Sequence, residues 1–137
     1  MEEIVLFALR MAIALALYAF LGLLLWLLLR EPSAPHFVPA LLQQLDVAGK
    51  PTNAHTIRMP FAWIGRDASC YVRLEDEFAS SRHALLAWRA DEQAWWIEDN
   101  LSQNGTRLNN VPVIRARLRP GDVITIGQTR LRFDLAP

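Results

Sequence analysis

The chain has 137 residues, one cysteine and no formal net charge, with 14 Lys+Arg against 14 Asp+Glu. That balance excludes the basic surplus of a nucleic-acid binder, and a lone Cys70 excludes an intramolecular disulfide. The length accommodates one small domain and an appendage.

The first element is apolar throughout. Met11 to Leu29 runs without a charge or a proline, and Ile4 to Leu9 extend the pattern upstream. At about 1.5 Å per residue, nineteen helical residues reach roughly 28 Å, close to a hydrocarbon core of about 30 Å. A transmembrane α-helix starting near Ile4 is expected, with residues 4–29 in contact with the lipid bilayer and the anchor occupying 1–30. Arg10 would snorkel to the headgroups. A cleaved signal peptide fits less well, because Glu2 and Glu3 stand where positive charge is needed and the apolar run is too long. Arg30 and Lys50 follow the helix, a weak bias toward a C-terminus inside. Residues 31–39 carry Pro32, Pro35 and Pro39 and read as a stiff, extended spacer.

Beyond it the pattern is all-β. Segments 55–59 and 61–65 form two expected strands broken by Pro60, and 84–88 and 94–98 form a hairpin. Further strands are expected at 106–109, 111–114, 123–126 and 131–133. Asn109-Asn110 signals a turn needing φ > 0, and Pro120-Gly121-Asp122 a tight reversal. Segment 40–47 fits strand or helix by its own periodicity. Short strands at this spacing indicate a β-sandwich.

Four motifs then fall in order: Gly65-Arg66, Ser80-Ser81-Arg82-His83, the run from Asp99 to Thr106, and the run from Leu118 to Ile124. Together they resemble the forkhead-associated (FHA) domain over residues 40–136. The resemblance implies an FHA-like β-sandwich of about eleven strands, makes 40–47 its first strand, and implies phosphothreonine-peptide binding through loops at one end, without catalysis. By the same resemblance Arg66, Ser80 and Ser81 bind phosphate, Ser81 being a shorter, uncharged donor at a position where the family often has Arg or Asn. Asn104 is similar to the asparagine that grips the peptide backbone, and Gly65, His83 and Gly105 to the structural supports of the binding loops.

The physics agrees with that implication. Phosphothreonine carries about −1.5 to −2 charge and three acceptor oxygens. A planar guanidinium, a hydroxyl and an amide that both donates and accepts suit such a ligand and its backbone. Arg82 and Arg107 are candidates to compensate for the uncharged Ser81.

Other chemistry is poorly supported. Ser80, His83 and Asp99 do not follow a hydrolase pattern, since no nucleophile elbow is present. His36, His55, His83 and Cys70 lack metal-ligand spacing, so no metal and no cofactor is expected. Trp63, Trp88, Trp95 and Trp96 are expected in core or cross-strand packing. Arg115, Arg117 and Arg119 are expected to alternate along one strand as a solvated edge, with anionic lipid or an acidic partner as the other reading.

The expected function is a non-enzymatic, inner-membrane module that recruits a threonine-phosphorylated protein to the cytoplasmic face. Kinases draw their ATP from the cytoplasm, which places the domain on that side. No small-molecule substrate is expected. The alternative is a phosphate-independent docking subunit of a membrane or secretion assembly.

Overall fold

A computed structural model describes residues 1–29 and 37–137. The chain divides into a helical unit and a β unit. The helix α1 spans Glu2–Leu29, 28 residues, with Glu2 and Glu3 in its first turn. It begins two residues before the expected Ile4, where acidic side chains oppose the positive end of the helix dipole. At about 1.5 Å per residue it measures roughly 42 Å, enough to cross a hydrocarbon core. It is the one helix among the described residues long and apolar enough to do so.

The β unit is a sandwich of eleven strands in two sheets. The strands are β1 (Ala40–Leu45), β2 (Pro51–Ile57), β3 (Phe61–Gly65), β4 (Val72–Arg73), β5 (Ala84–Arg89) and β6 (Ala94–Asp99), then β7 (Thr106–Leu108), β8 (Val111–Val113), β9 (Arg115–Arg117), β10 (Val123–Ile126) and β11 (Thr129–Leu135). One sheet runs β2-β1-β11-β10-β7-β8 and the other β4-β3-β5-β6-β9. Neighbours are antiparallel apart from the short parallel pair β3–β4. Segment 40–47 resolves into strand β1, paired on both sides, and β2 starts at Pro51, four residues before the expected boundary.

Period-two alternation sends one set of side chains inward from each strand. Leu42, Ile124, Ile126, Leu131 and Phe133 from the first sheet meet Ile64, Leu86, Trp95 and Ile97 from the second, all at most 1% exposed. The expected spacer, 31–39, lies outside the described residues except for 37–39. There Phe37 packs edge-on against Trp88 and Trp95, and Trp95 Nε1 donates to Val38 O at 2.8 Å.

Asn109 and Asn110 both take positive φ, 50° and 67°, the pair of values a type I′ turn requires. The Pro120-Gly121 reversal is closed by Asp122, whose N–H donates to Arg119 O and whose carboxylate accepts from Arg119 N. Arg119 is therefore a turn residue. Only Arg115 and Arg117 share a strand face, because β9 ends where Leu118 turns into the core. β9 is an edge of its sheet, as a solvated arginine strand suggests.

Candidate functional site

Three loops converge at one end of the sandwich: 66–71 after β3, 74–83 before β5, and 100–105 between β6 and β7. Main-chain bonds fasten the first to the second. Arg66 N donates to Ser80 O at 3.1 Å, Asp67 N to Ser81 O at 3.0 Å, and His83 N to Ile64 O at 2.9 Å. Gly65 is required by closeness: a Cβ there would lie 2.3 Å from Ser81 O and 2.9 Å from Ser80 O. Contact this tight is what brings Arg66 beside Ser80 and Ser81.

The third loop is fastened by Ser80 and Asn104. Gln103 N donates to Ser80 Oγ at 3.1 Å, and Asn104 Nδ2 donates to Phe78 O at 2.8 Å. Ser80 Oγ thus acts as an acceptor within the protein and keeps its own hydrogen for an outside acceptor. Asn104 keeps its carbonyl and one N–H in the same way. Gly105 takes φ +75°, the left-handed conformation that glycine enters without cost.

Behind the loops lies a buried polar network. His83 is 0% exposed. Its Nδ1 accepts from Ser80 N at 3.0 Å, which leaves the ring proton on Nε2, and Nε2 donates to Gly105 O at 3.1 Å. One imidazole therefore spans two loops. Asp99 Oδ1 lies 3.8 Å from Nε2 and accepts from the hydroxyls of Ser102 (2.5 Å) and Thr106 (2.7 Å). Burial works against ionisation of Asp99, but the bonds from Ser102 and Thr106 outweigh it and hold the carboxyl below its ordinary value.

Ser80, His83 and Asp99 thus meet, but not as a catalytic triad. Both imidazole nitrogens are occupied by main-chain groups, and the Ser80 hydroxyl faces Gln103. No nitrogen is left to take a proton from Ser80 Oγ.

Arg66 is exposed and forms no ion pair or hydrogen bond through its side chain among the described residues. The obvious acid, Asp67, is instead bonded to Ser69 N at 2.7 Å and kept ionised by that loop. Ser81 is exposed, with its carbonyl accepting from Asp67 N and from Cys70 Sγ. Arg82 stacks over Trp63 at 5.8 Å, and Arg107 lines a cavity of about 370 Å³ beside Asn104, Gly105 and Phe78.

One supporting residue escaped the sequence reading. Asp76 is 8% exposed and accepts from Phe78 N, Gln128 N and Thr129 Oγ1, tying loop 74–83 to the β10–β11 turn. Burial opposes its ionisation, yet those bonds prevail and its carboxyl is held below the ordinary value. Gly127, at φ +59°, has no room for a Cβ, which would sit 2.7 Å from the Asp76 carboxylate. The only signal was a Gly-Gln turn some fifty residues downstream of an unremarkable acidic run.

Comparison with known proteins gives a consistent result. The family model for the FHA domain matches residues 62–127. FhaB of Mycobacterium tuberculosis is 41% identical over 71 residues, and FhaA of the same organism 40% over 68. These matches cover 51% and 50% of this chain but 44% of FhaB and 12% of FhaA, so the chain spans only part of either relative. A solved domain from a structural and functional study of phosphothreonine-dependent FHA domain interactions superposes with a TM-score of 0.62 at 32% identity. That match covers 72% of this chain and 98% of the solved one.

Proposed function

The chain belongs to the FHA-domain family, and we propose that its loop end binds a phosphothreonine peptide and that α1 anchors it in a membrane. FHA domains are phosphopeptide-binding interaction modules, not enzymes.

The observation that carries the reading is Arg66. Its backbone is locked to Ser80, while its guanidinium is exposed and has no acid to neutralise it among the described residues. An unpaired guanidinium on a backbone locked beside a hydroxyl with a spare hydrogen suits a dianionic group. Arg66, Ser80 and Ser81 bind the phosphate, Arg66 supplying charge and the serines supplying hydroxyls. Asn104 binds the peptide main chain with the amide valences that Phe78 leaves unused. Gly65, His83 and Gly105 hold these groups in place.

The domain organisation we propose is an anchor in 1–30, a spacer in 31–39 and the binding domain in 40–136, with Phe37 packed on the latter. Residues 4–29 contact lipid, and the β unit faces the cytoplasm of an inner membrane, where threonine kinases have their ATP. There it recruits a threonine-phosphorylated protein.

The test is fluorescence anisotropy of the full chain in neutral detergent with a degenerate phosphothreonine peptide mixture and its unphosphorylated counterpart. The phosphorylated mixture binds, and Arg66→Ala weakens it about a hundredfold, since charge-assisted bonds contribute about 1.5–3 kcal/mol each. Equal binding of both mixtures, or an Arg66→Ala variant that binds like the parent, would overturn the assignment.

A further inference from the structure

The outer face of the β4-β3-β5-β6-β9 sheet is more apolar and more cationic than an ordinary solvated face. In cross-strand register it places Phe61 beside Ala87, Ala87 beside Trp96, and Trp96 beside Arg117. The next row places Trp63 beside Leu85, Leu85 beside Glu98, and Glu98 beside Arg115. Phe61 is 55% exposed, with Met59 and Tyr71 close by at 40% and 43%. Met59, Phe61, Trp63 and Tyr71 surround a dimple of about 210 Å³, room for one large side chain.

Guanidinium groups frame this apolar surface. Arg82 lies over Trp63 at 5.8 Å, while Arg89 and Arg115 lie over Trp96 at 5.6 and 4.7 Å. Glu98 bonds both Arg89 (2.9 Å) and Arg115 (3.2 Å), so one carboxylate serves two cations. On the outward positions of these strands Arg73, Arg89, Arg115 and Arg117 stand against one acid, Glu98, although the whole chain is formally neutral. Trp96 Nε1 and Arg89 Nε are covered and have no acceptor among the described residues, so donors here exceed acceptors.

We propose that this face is a second docking surface, for an acidic protein segment that carries an aromatic or large aliphatic side chain. The dimple takes the apolar side chain, and the stacked guanidinium forks take the flanking carboxylates. A second copy of the chain is the wrong occupant for the same face, since two arginine-rich surfaces repel. A lipid surface matches the charge but makes no use of a side-chain-sized dimple. Trp63 lies three residues before Arg66, and Arg82 follows Ser81, so the face adjoins the phosphate-binding loops along the chain. The proposal nevertheless stands without them.

The probe is a fluorescein-labelled peptide, Glu-Asp-Glu-Phe-Asp-Glu-Asp, titrated by anisotropy against the full chain in neutral detergent. It binds, more weakly as salt rises, and better than versions with Ser in place of Phe or Lys in place of the acids. Phe61→Asp, and separately the pair Arg115→Glu and Arg117→Glu, each weaken it at least about tenfold. Both variants alter exposed positions, and circular dichroism confirms that they fold. Arg66→Ala leaves this binding unchanged, which separates it from the phosphate site. No binding, indifference to either set of variants, or loss on Arg66→Ala would each overturn the proposal. So would binding only to short-chain phosphatidylglycerol micelles, which assigns the face to lipid, or a dimer abolished by Phe61→Asp, which assigns it to a second copy.

Discussion

Arg66, Ser81 and Asn104 are exposed and hold valences in reserve, whereas His83, Asp76 and Thr106 are buried and spent on partners inside the protein. The first group can be altered without leaving a buried polar atom unpaired. The second cannot, because His83 and Asp76 each bridge two loops, Thr106 closes the β6–β7 loop onto Asp99, and the loss of any of them strands donors or acceptors away from water. On the proposed reading, recognition and bracing are separable from one side only: losing Arg66 or Ser81 should spare the fold, but losing a brace should take recognition with it.

The sharpest way to break that distinction is Gly65→Ala. It adds one methyl, but the new carbon would sit 2.3 Å from Ser81 O, a backbone atom that can move only if β3 and loop 74–83 part. Overpacking of this severity should cost on the order of 3 kcal/mol. The thermal midpoint should fall and phosphopeptide binding should disappear with it. An Ala variant as stable as the parent would show that the two loops are not locked. Arg66→Ala is the complementary case, with binding lost and the thermal midpoint unmoved.

Acid should act on the braces next. Asp99 and Asp76 have folded values below the ordinary 3.8, so the native state binds fewer protons than the unfolded chain as pH falls. Their stabilisation is complete above about pH 5 and drains away as pH falls through the lowered folded values. Asp99→Asn should flatten the fall in urea midpoint over that range, while Asp67→Asn, on an exposed loop, should hardly change it. Parallel pH profiles for parent and Asp99→Asn would remove Asp99 from the bracing set.

Ser80→Ala should give the smallest effect and the most informative one, since Ser80 belongs to both groups. Its hydroxyl accepts from Gln103 N inside the protein and keeps a hydrogen free to donate to a ligand. One uncharged bond on each side predicts about a tenfold loss of affinity together with a stability loss of about 1 kcal/mol. A pure affinity loss would place it with Arg66, and a pure stability loss with His83.

Much of this is legible in the amino-acid sequence. The strands from β5 onward lie within a residue or two of where alternation and turn residues put them, and the Asn109-Asn110 turn has the positive φ its sequence demands. Gly65-Arg66 and Ser80-Ser81 are close in space as their motif implied. The four tryptophans were less legible. Trp95 is core and Trp88 packs on it, whereas Trp63 and Trp96 lie under arginines on the outer face. Adjacent residues such as Trp95 and Trp96 must point to opposite faces, but which one faces inward depends on register with a strand elsewhere in the chain.

By itself, the sequence determined the apolar helix, the all-β character of the remainder and the order of the four family motifs, because these follow from local composition, period-two alternation and short motifs. The tertiary structure alone decided that Asp76 supports the β10–β11 turn, that the His83 ring spends both nitrogens on loop backbone, and that the Arg66 guanidinium meets no acid among the described residues. Each of those outcomes depends on atoms brought together from distant segments. A neighbouring Asp67 or a Glu-Asp-Glu run reads the same whether its carboxylate pairs with arginine or caps a loop, and only the folded geometry of donors distinguishes the two.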